Sequence, residues 1–163
     1  MDTIFLADAE QTDRFGALLA KTLEKHRSEI LTHGFNIRLE GDLGAGKTAT
    51  TRAMLRALGV TGRIKSPTFT LLETYPIDEQ LEVFHYDFYR FESPEEFIDA
   101  GFRDDFAPGH ICITEWSEKA DPCLPQATLT LALSVNGNAR DLTMSADTLI
   151  GQRVLKELVD AWN

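Results

Sequence analysis

Cysteine is nearly absent: Cys112 and Cys123 are the only two in 163 residues. That is too few for a disulfide scaffold or a thiolate zinc site, and Cys112, inside the apolar run Ile111–Ile113, reads as a buried structural thiol. Positive charge is also scarce. Lys and Arg number 16 against 26 Asp and Glu, a net charge of −10, which opposes autonomous binding to nucleic acid because such binding neutralises phosphates with Lys and Arg. The basic pair Arg63 and Lys65 is too small to reverse this. No apolar run approaches the roughly 20 residues that cross a bilayer. The opening MDTIFLADAE is acidic where a signal peptide would be basic and then apolar, so a cytoplasmic chain with no membrane partner is expected. With no repeat or low-complexity tract, residues 1–163 are expected to form a single domain.

What the sequence does have is GDLGAGKT at 41–48. Gly41, Gly46, Lys47 and Thr48 fill every fixed position of the pattern Gly-x-x-x-x-Gly-Lys-[Ser/Thr]. Each residue type has a chemical reason: glycines let successive backbone N–H groups of Asp42, Leu43, Gly44, Ala45 and Gly46 turn toward an oligophosphate, the Lys brings positive charge, and the hydroxyl holds Mg²⁺. The context fits. Phe35, Ile37 and Leu39 alternate as in a strand, and Met54, Leu55 and Leu58 recur at helical spacing before Gly59. A phosphate would therefore sit at a helix N-terminus, where orphan N–H groups and the dipole favour anions. Lys47 is expected to point at solvent when the cradle is empty.

Elsewhere, the spacing predicts one helix over about 13–32 ending at Gly34 and a β-hairpin formed by TFTLLETY and LEVFHYDFY. A short helix after Ser93 is expected, with Glu96 completing a capping box. HICITEW (110–116) has the pattern of a buried strand, and TLTLALSV (128–135) alternates Leu129, Leu131, Leu133 and Val135 onto one face before the turn NGN and a returning strand. A closing helix from about Asp147 carries an apolar stripe of Leu149, Ile150, Leu155, Leu158 and Val159. Together these give an α/β class, a P-loop NTPase domain with a mixed parallel and antiparallel sheet flanked by helices.

Nucleotide hydrolysis further needs an acid for Mg²⁺ and a group that orients water. Glu115 ends the buried run at the C-terminal edge of the sheet, where open α/β folds keep their ligands, and Asp87 ends another strand-like stretch. Thr68, in the Pro-marked loop KSPTFT, is either a switch element that closes on Mg²⁺ or a hydroxyl that starts a strand. Trp116 is either core or an aromatic that shields the acid or marks a docking surface. His85, two residues before Asp87, is read as strand surface rather than as a metal ligand, because a dedicated site needs more ligands.

The stretches GDLGAGKT, KSPTFTL, HYDFYR and ITEWSEK, in this order, resemble the TsaE (YjeE) family of bacterial P-loop ATPases, over about Ile37 to Lys119. The resemblance implies a cytoplasmic, Mg²⁺-dependent ATPase of tRNA threonylcarbamoyladenosine synthesis. It would work with the TsaB–TsaD pair on adenosine 37 of tRNAs that read codons beginning with A, and would meet tRNA only through those partners. It also implies that Lys47 and Thr48 bind phosphate and Mg²⁺, that Thr68 belongs to a switch-like loop, and that Asp87, Glu115 and Trp116 serve activity. Thr12 and Arg140 follow as residues near the nucleotide. A small-molecule kinase and a nucleotide sensor without turnover remain open on the residues, whereas no Asn-Lys-x-Asp guanine motif is present.

Overall fold

A computed structural model describes residues 1–163. Seven strands form one sheet: β1 (Asp2–Leu6), β2 (Phe35–Glu40), β3 (Leu72–Pro76), β4 (Glu82–Asp87), β5 (His110–Glu115), β6 (Leu129–Asn136) and β7 (Ala139–Ser145). Their spatial order is β1-β7-β6-β2-β5-β4-β3. The four central strands β6, β2, β5 and β4 run parallel, while β1, β7 and β3 are antiparallel additions at the edges. The mixed sheet and both hairpins expected from the alternation are therefore present. The helices are α1 (Ala9–Lys25), α2 (Arg27–His33), α3 (Lys47–Ala57), the short α4 (Glu95–Asp99) and α5 (Leu149–Trp162).

Alternation along β4 and β5 divides the interior into two cores. Val83, Ile111 and Ile113 join the main cluster of 26 buried residues under α1, α3 and α5. Phe84, Tyr86 and Cys112, one step out of phase, join Phe88, Phe91 and Phe97 in a second cluster of 8 on the other face. Cys112 is fully buried there, and burial pushes its thiol far above the usual range, which fits a structural thiol. Tyr86 donates to Asp105 at 2.5 Å, tying this aromatic layer to the short helical turn Phe102–Asp105.

Several expectations shift. The single helix over 13–32 starts earlier, at Ala9, because Asp8 accepts from the Gln11 N–H at 3.0 Å and caps it. It also breaks at His26, whose ring meets Glu157 of α5 at 2.7 Å. Phe15, Leu19 and Leu23 fill the core below the break, at about 1.5–3 kcal/mol of burial each. Strand β1 carries no alternation to signal it, because Ile4, Phe5 and Leu6 make an unbroken apolar run, although of these three only Ile4 and Leu6 are buried. Residues 67–70 form turns, so Thr68 does not start a strand. At the chain's end Thr148 caps α5 by accepting from the Gly151 N–H, which leaves Leu149 outside the apolar stripe and 77% exposed. Val135, at the open end of β6, is likewise exposed. Before α4 the Glu96 carboxylate accepts from the Ser93 N–H, the returning half of the capping box.

Candidate functional site

The C-terminal ends of β2, β4 and β5 and the N-terminus of α3 meet around one cleft of about 260 Å³. Strand β2 leads straight into the loop 41–46, and α3 begins at Lys47 behind Gly46, which is left-handed at φ 105° and gives the helix no side-chain cap. No acid lies in the first turn of α3. Its orphan N–H groups and the positive end of its dipole therefore face the cleft with no acid of the helix's own first turn to answer them. At Gly44 (φ 82°) and Gly46, a Cβ would meet nothing within 4 Å; the backbone lies open, and glycine is required by conformation rather than by crowding.

Across the cleft stand the two acids. The parallel register pairs Asp87 directly with Glu115, and strand alternation turns both toward the α3 face, with Ile113 and His85. Asp87 is 5% exposed and Glu115 4%. Asp87 accepts from the Tyr89 N–H at 2.9 Å and, more distantly, from the Thr68 hydroxyl at 3.4 Å. Burial, with the Glu115 charge as a lesser cause, holds the Asp87 carboxyl above its ordinary range. The Glu115 Oε1 lies 3.8 Å from the Lys47 ammonium, and its Oε2 lies 2.6 Å from His85 Nε2.

Lys47 does not point at solvent. It is 6% exposed, lies over the Trp116 ring at 4.6 Å and faces Glu115, because an aromatic face and a carboxylate stabilise an ammonium that has left water. Trp116 reaches that position through a left-handed backbone at φ 57°, a conformation unusual for a bulky residue and concentrated at functional sites. His85 is not strand surface either: it is 1% exposed. Its burial was hidden because a polar residue between Phe84 and Tyr86 reads as the outer face of a one-sided strand, whereas β4 is covered on both faces.

The structure thus gathers Leu43, Gly44, Gly46, Lys47, Thr48, Thr68, Asp87, Glu115 and Trp116 around one cleft. Gly41 and Asp42 line an adjoining hollow that shares Lys47 and Trp116. Thr12 and Arg140 line a third, of about 240 Å³, which shares Gly46 and Ala49 with the first and also holds Asn138. Arg140 also donates to the carbonyls of Ala45 and Gly44, both at 3.1 Å, so strand β7 grips the cradle from behind. Nothing in the local sequence signals that grip.

The donor set suits magnesium, which takes a hydroxyl and one or two carboxylates and leaves its other positions to water and phosphate. Thr48, Asp87 and Glu115 supply that set at the cleft. No group of three or more His, Cys, Asp or Glu side chains forms a cage for a metal.

A family model described as "Threonylcarbamoyl adenosine biosynthesis protein TsaE" matches residues 6–142, beyond the motif-bearing stretch on both sides. The chain is similar to the tRNA threonylcarbamoyladenosine biosynthesis protein TsaE of Haemophilus influenzae, 39% identical over 153 residues and covering 94% of each chain. It is 35% identical to the protein so named from Bacillus subtilis, over 77% of this chain and 78% of the relative. The crystal structure of Bacillus subtilis YdiB superposes with a TM-score of 0.73 at 28% identity, over 99% of this chain and 96% of that one.

Proposed function

The chain belongs to the TsaE family, and from that premise we propose that it binds and hydrolyses ATP with Mg²⁺ as a subunit of the machinery that threonylcarbamoylates adenosine 37 of tRNA. The observation that carries this is the placement of two register-paired buried acids, Asp87 and Glu115, across a single cleft from the uncapped, glycine-led N-terminus of α3.

Bound ATP would supply a labile phosphoryl bond and Mg²⁺ the positive charge that offsets its oxygens. The protein's own residues do the rest. Backbone N–H groups of residues 42–44 and 46–48 would cradle the phosphates, whereas the Ala45 N–H is taken by the Asp42 carbonyl at 3.1 Å, and Arg140, by holding the Ala45 and Gly44 carbonyls, keeps that backbone in shape. Lys47 would turn from Glu115 toward the outer phosphates, Thr48 would offer its hydroxyl to the ion, and Glu115 with Asp87 would hold the ion and orient water. Thr68 sits on the loop that can close over this end, while Trp116 excludes solvent from Lys47. The hollow lined by Thr12, Asn138 and Arg140 would receive the nucleoside.

No helix is long and apolar enough to cross a membrane, and the net charge of −10 suits a subunit that leaves tRNA to its partners TsaB and TsaD. The test is phosphate release from ATP by the purified protein with and without TsaB and TsaD, beside GTP competition and assembly of modified tRNA. ATPase that rises with the pair and a preference for ATP over GTP are expected. Binding without release, even with both partners, would leave a nucleotide sensor; a phosphorylated small molecule in place of free phosphate would indicate a kinase.

A further inference from the structure

Glu115 is held by a residue that the reading of the site leaves without a task. His85 Nε2 lies 2.6 Å from Glu115 Oε2, bridging strands 30 residues apart in sequence, and both side chains are almost fully buried. The other ring nitrogen, Nδ1, is buried with no hydrogen-bond partner. That orphan is informative. A proton on Nδ1 would place an unanswered N–H donor in the interior, at the full desolvation cost of the group. With Nδ1 alone protonated, the Nε2 lone pair would in addition be set against a carboxylate oxygen. The tautomer that avoids both carries its proton on Nε2 and donates it to Glu115, leaving only a bare lone pair unpaired at Nδ1.

This bond divides the carboxylate. Oε2 is committed to the imidazole, and Oε1 is the oxygen that faces Lys47 across the cleft at 3.8 Å. Asp87 is held differently, by the Tyr89 N–H and the Thr68 hydroxyl. Apart from Lys47, which must turn away when phosphate arrives, His85 is the side chain that keeps Glu115 from rotating.

We propose that His85 is a positioning residue for hydrolysis: as the Nε2–H tautomer it locks Oε2 of Glu115 and so presents Oε1 to the ion and the water. The inference rests on the reading of the site given above. Removing such a supporting partner of a metal-binding carboxylate commonly costs 10–100-fold in metal affinity or activity.

Two measurements test it. Imidazole ¹⁵N–¹H correlation spectra of the nucleotide-free full chain should show His85 protonated on Nε2, with that resonance moving in Glu115→Gln; an Nδ1–H tautomer overturns the proposal. In ATPase assays with TsaB and TsaD, His85→Leu should lower kcat by roughly 10–100-fold while ATP affinity changes by less than about threefold. His85→Gln, which restores an N–H donor at the Nε2 position, should recover most of the loss. In a Glu115→Gln background the His85→Leu change should cost under about twofold, since its effect travels through Glu115. Unchanged kcat in His85→Leu, or the same loss with and without Glu115, overturns the proposal. If wild-type protein hydrolyses no ATP at all, the reading of the site fails instead, and the imidazole spectrum still decides this one.

Discussion

The two walls of the cleft are built in opposite ways. The cradle wall, from the end of β2 into α3, is contiguous in sequence and made of backbone: at Gly44 and Gly46 a side chain would touch nothing, and the conformation alone demands glycine. The acid wall, from the ends of β4 and β5, is made of side chains brought together by strand pairing, buried and backed by an aromatic layer. One wall can be written in eight residues. The other exists only once the sheet has formed, so its residues answer to packing as well as to chemistry. Mutations should therefore separate the walls: cradle changes act on binding, acid changes on turnover, and changes in the frame act on stability.

The largest effect is expected from Lys47→Ala. The substitution removes the one ammonium that faces both walls, and ATP binding measured by calorimetry should fall below detection. The fold should persist, because Glu115 keeps His85 as a partner when the ammonium is gone. ATP binding by the folded variant would show that the backbone alone does the cradle's work. Next comes the acid wall. Glu115→Gln keeps size and hydrogen bonding but removes the charge on which the transition state depends, and ATPase should drop by roughly a hundredfold or more with nucleotide affinity nearly intact. Asp87→Asn, measured in parallel, sharpens the comparison. Near-normal turnover in the first with loss in the second would make Asp87 the principal acid and Glu115 its support.

How much of this was legible follows from the same contrast. The cradle, its flanking strand and helix, and the position of both acids at strand ends could be read because each is signalled within a few residues. That Asp87 stands opposite Glu115 could not be read, since it depends on β5 lying between β2 and β4. His85 was misread for the same reason, because burial on both faces of β4 is a property of the sheet. Arg140 came only through family likeness, and the structure gives it a physical role, a grip on carbonyls 95 and 96 residues away in sequence. The break of the first long helix at His26 was hidden because apolar spacing continues across it to Ile30.

The frame beneath the cradle offers a smaller effect. Helices α1 and α3 approach so closely at Gly16 that an added Cβ would collide with the Ala53 side chain and come within 2.8 Å of the Met54 nitrogen. The obstacle is partly backbone, so it cannot simply rotate away. Gly16→Ala should cost about 1–3 kcal/mol of stability by overpacking, read as a lower urea midpoint with an unchanged slope. Because α3 carries the cradle at its N-terminus, nucleotide affinity should weaken along with stability. A variant as stable as wild type would mean that α1 and α3 part without penalty.

The smallest effect lies at the far end of the acid wall, where the turn between β3 and β4 is fixed by Asp78. Its carboxylate accepts from the Gln80 and Leu81 N–H groups at 2.8 and 3.0 Å and from Arg27 of α2 at 2.9 Å. The Arg27 guanidinium, helped by those backbone donors, holds the Asp78 carboxyl at about 2, below its ordinary 3.8. A carboxylate depressed in the folded state stabilises the fold fully above its unfolded pKa and loses that contribution as pH falls through the folded one. The difference in urea midpoint between wild type and Asp78→Asn should therefore be small and constant above about pH 5, and should shrink between pH 4 and pH 2. High salt should reduce it as well, because the pair is exposed and screened. ATPase and nucleotide affinity should not change, since the ladder from Glu82 to Asp87 against β5 sets the register of the acids independently of the turn. A loss of turnover in Asp78→Asn at neutral pH would show instead that the acid wall is held from its far end, and that the turn, not the ladder, keeps Asp87 opposite Glu115.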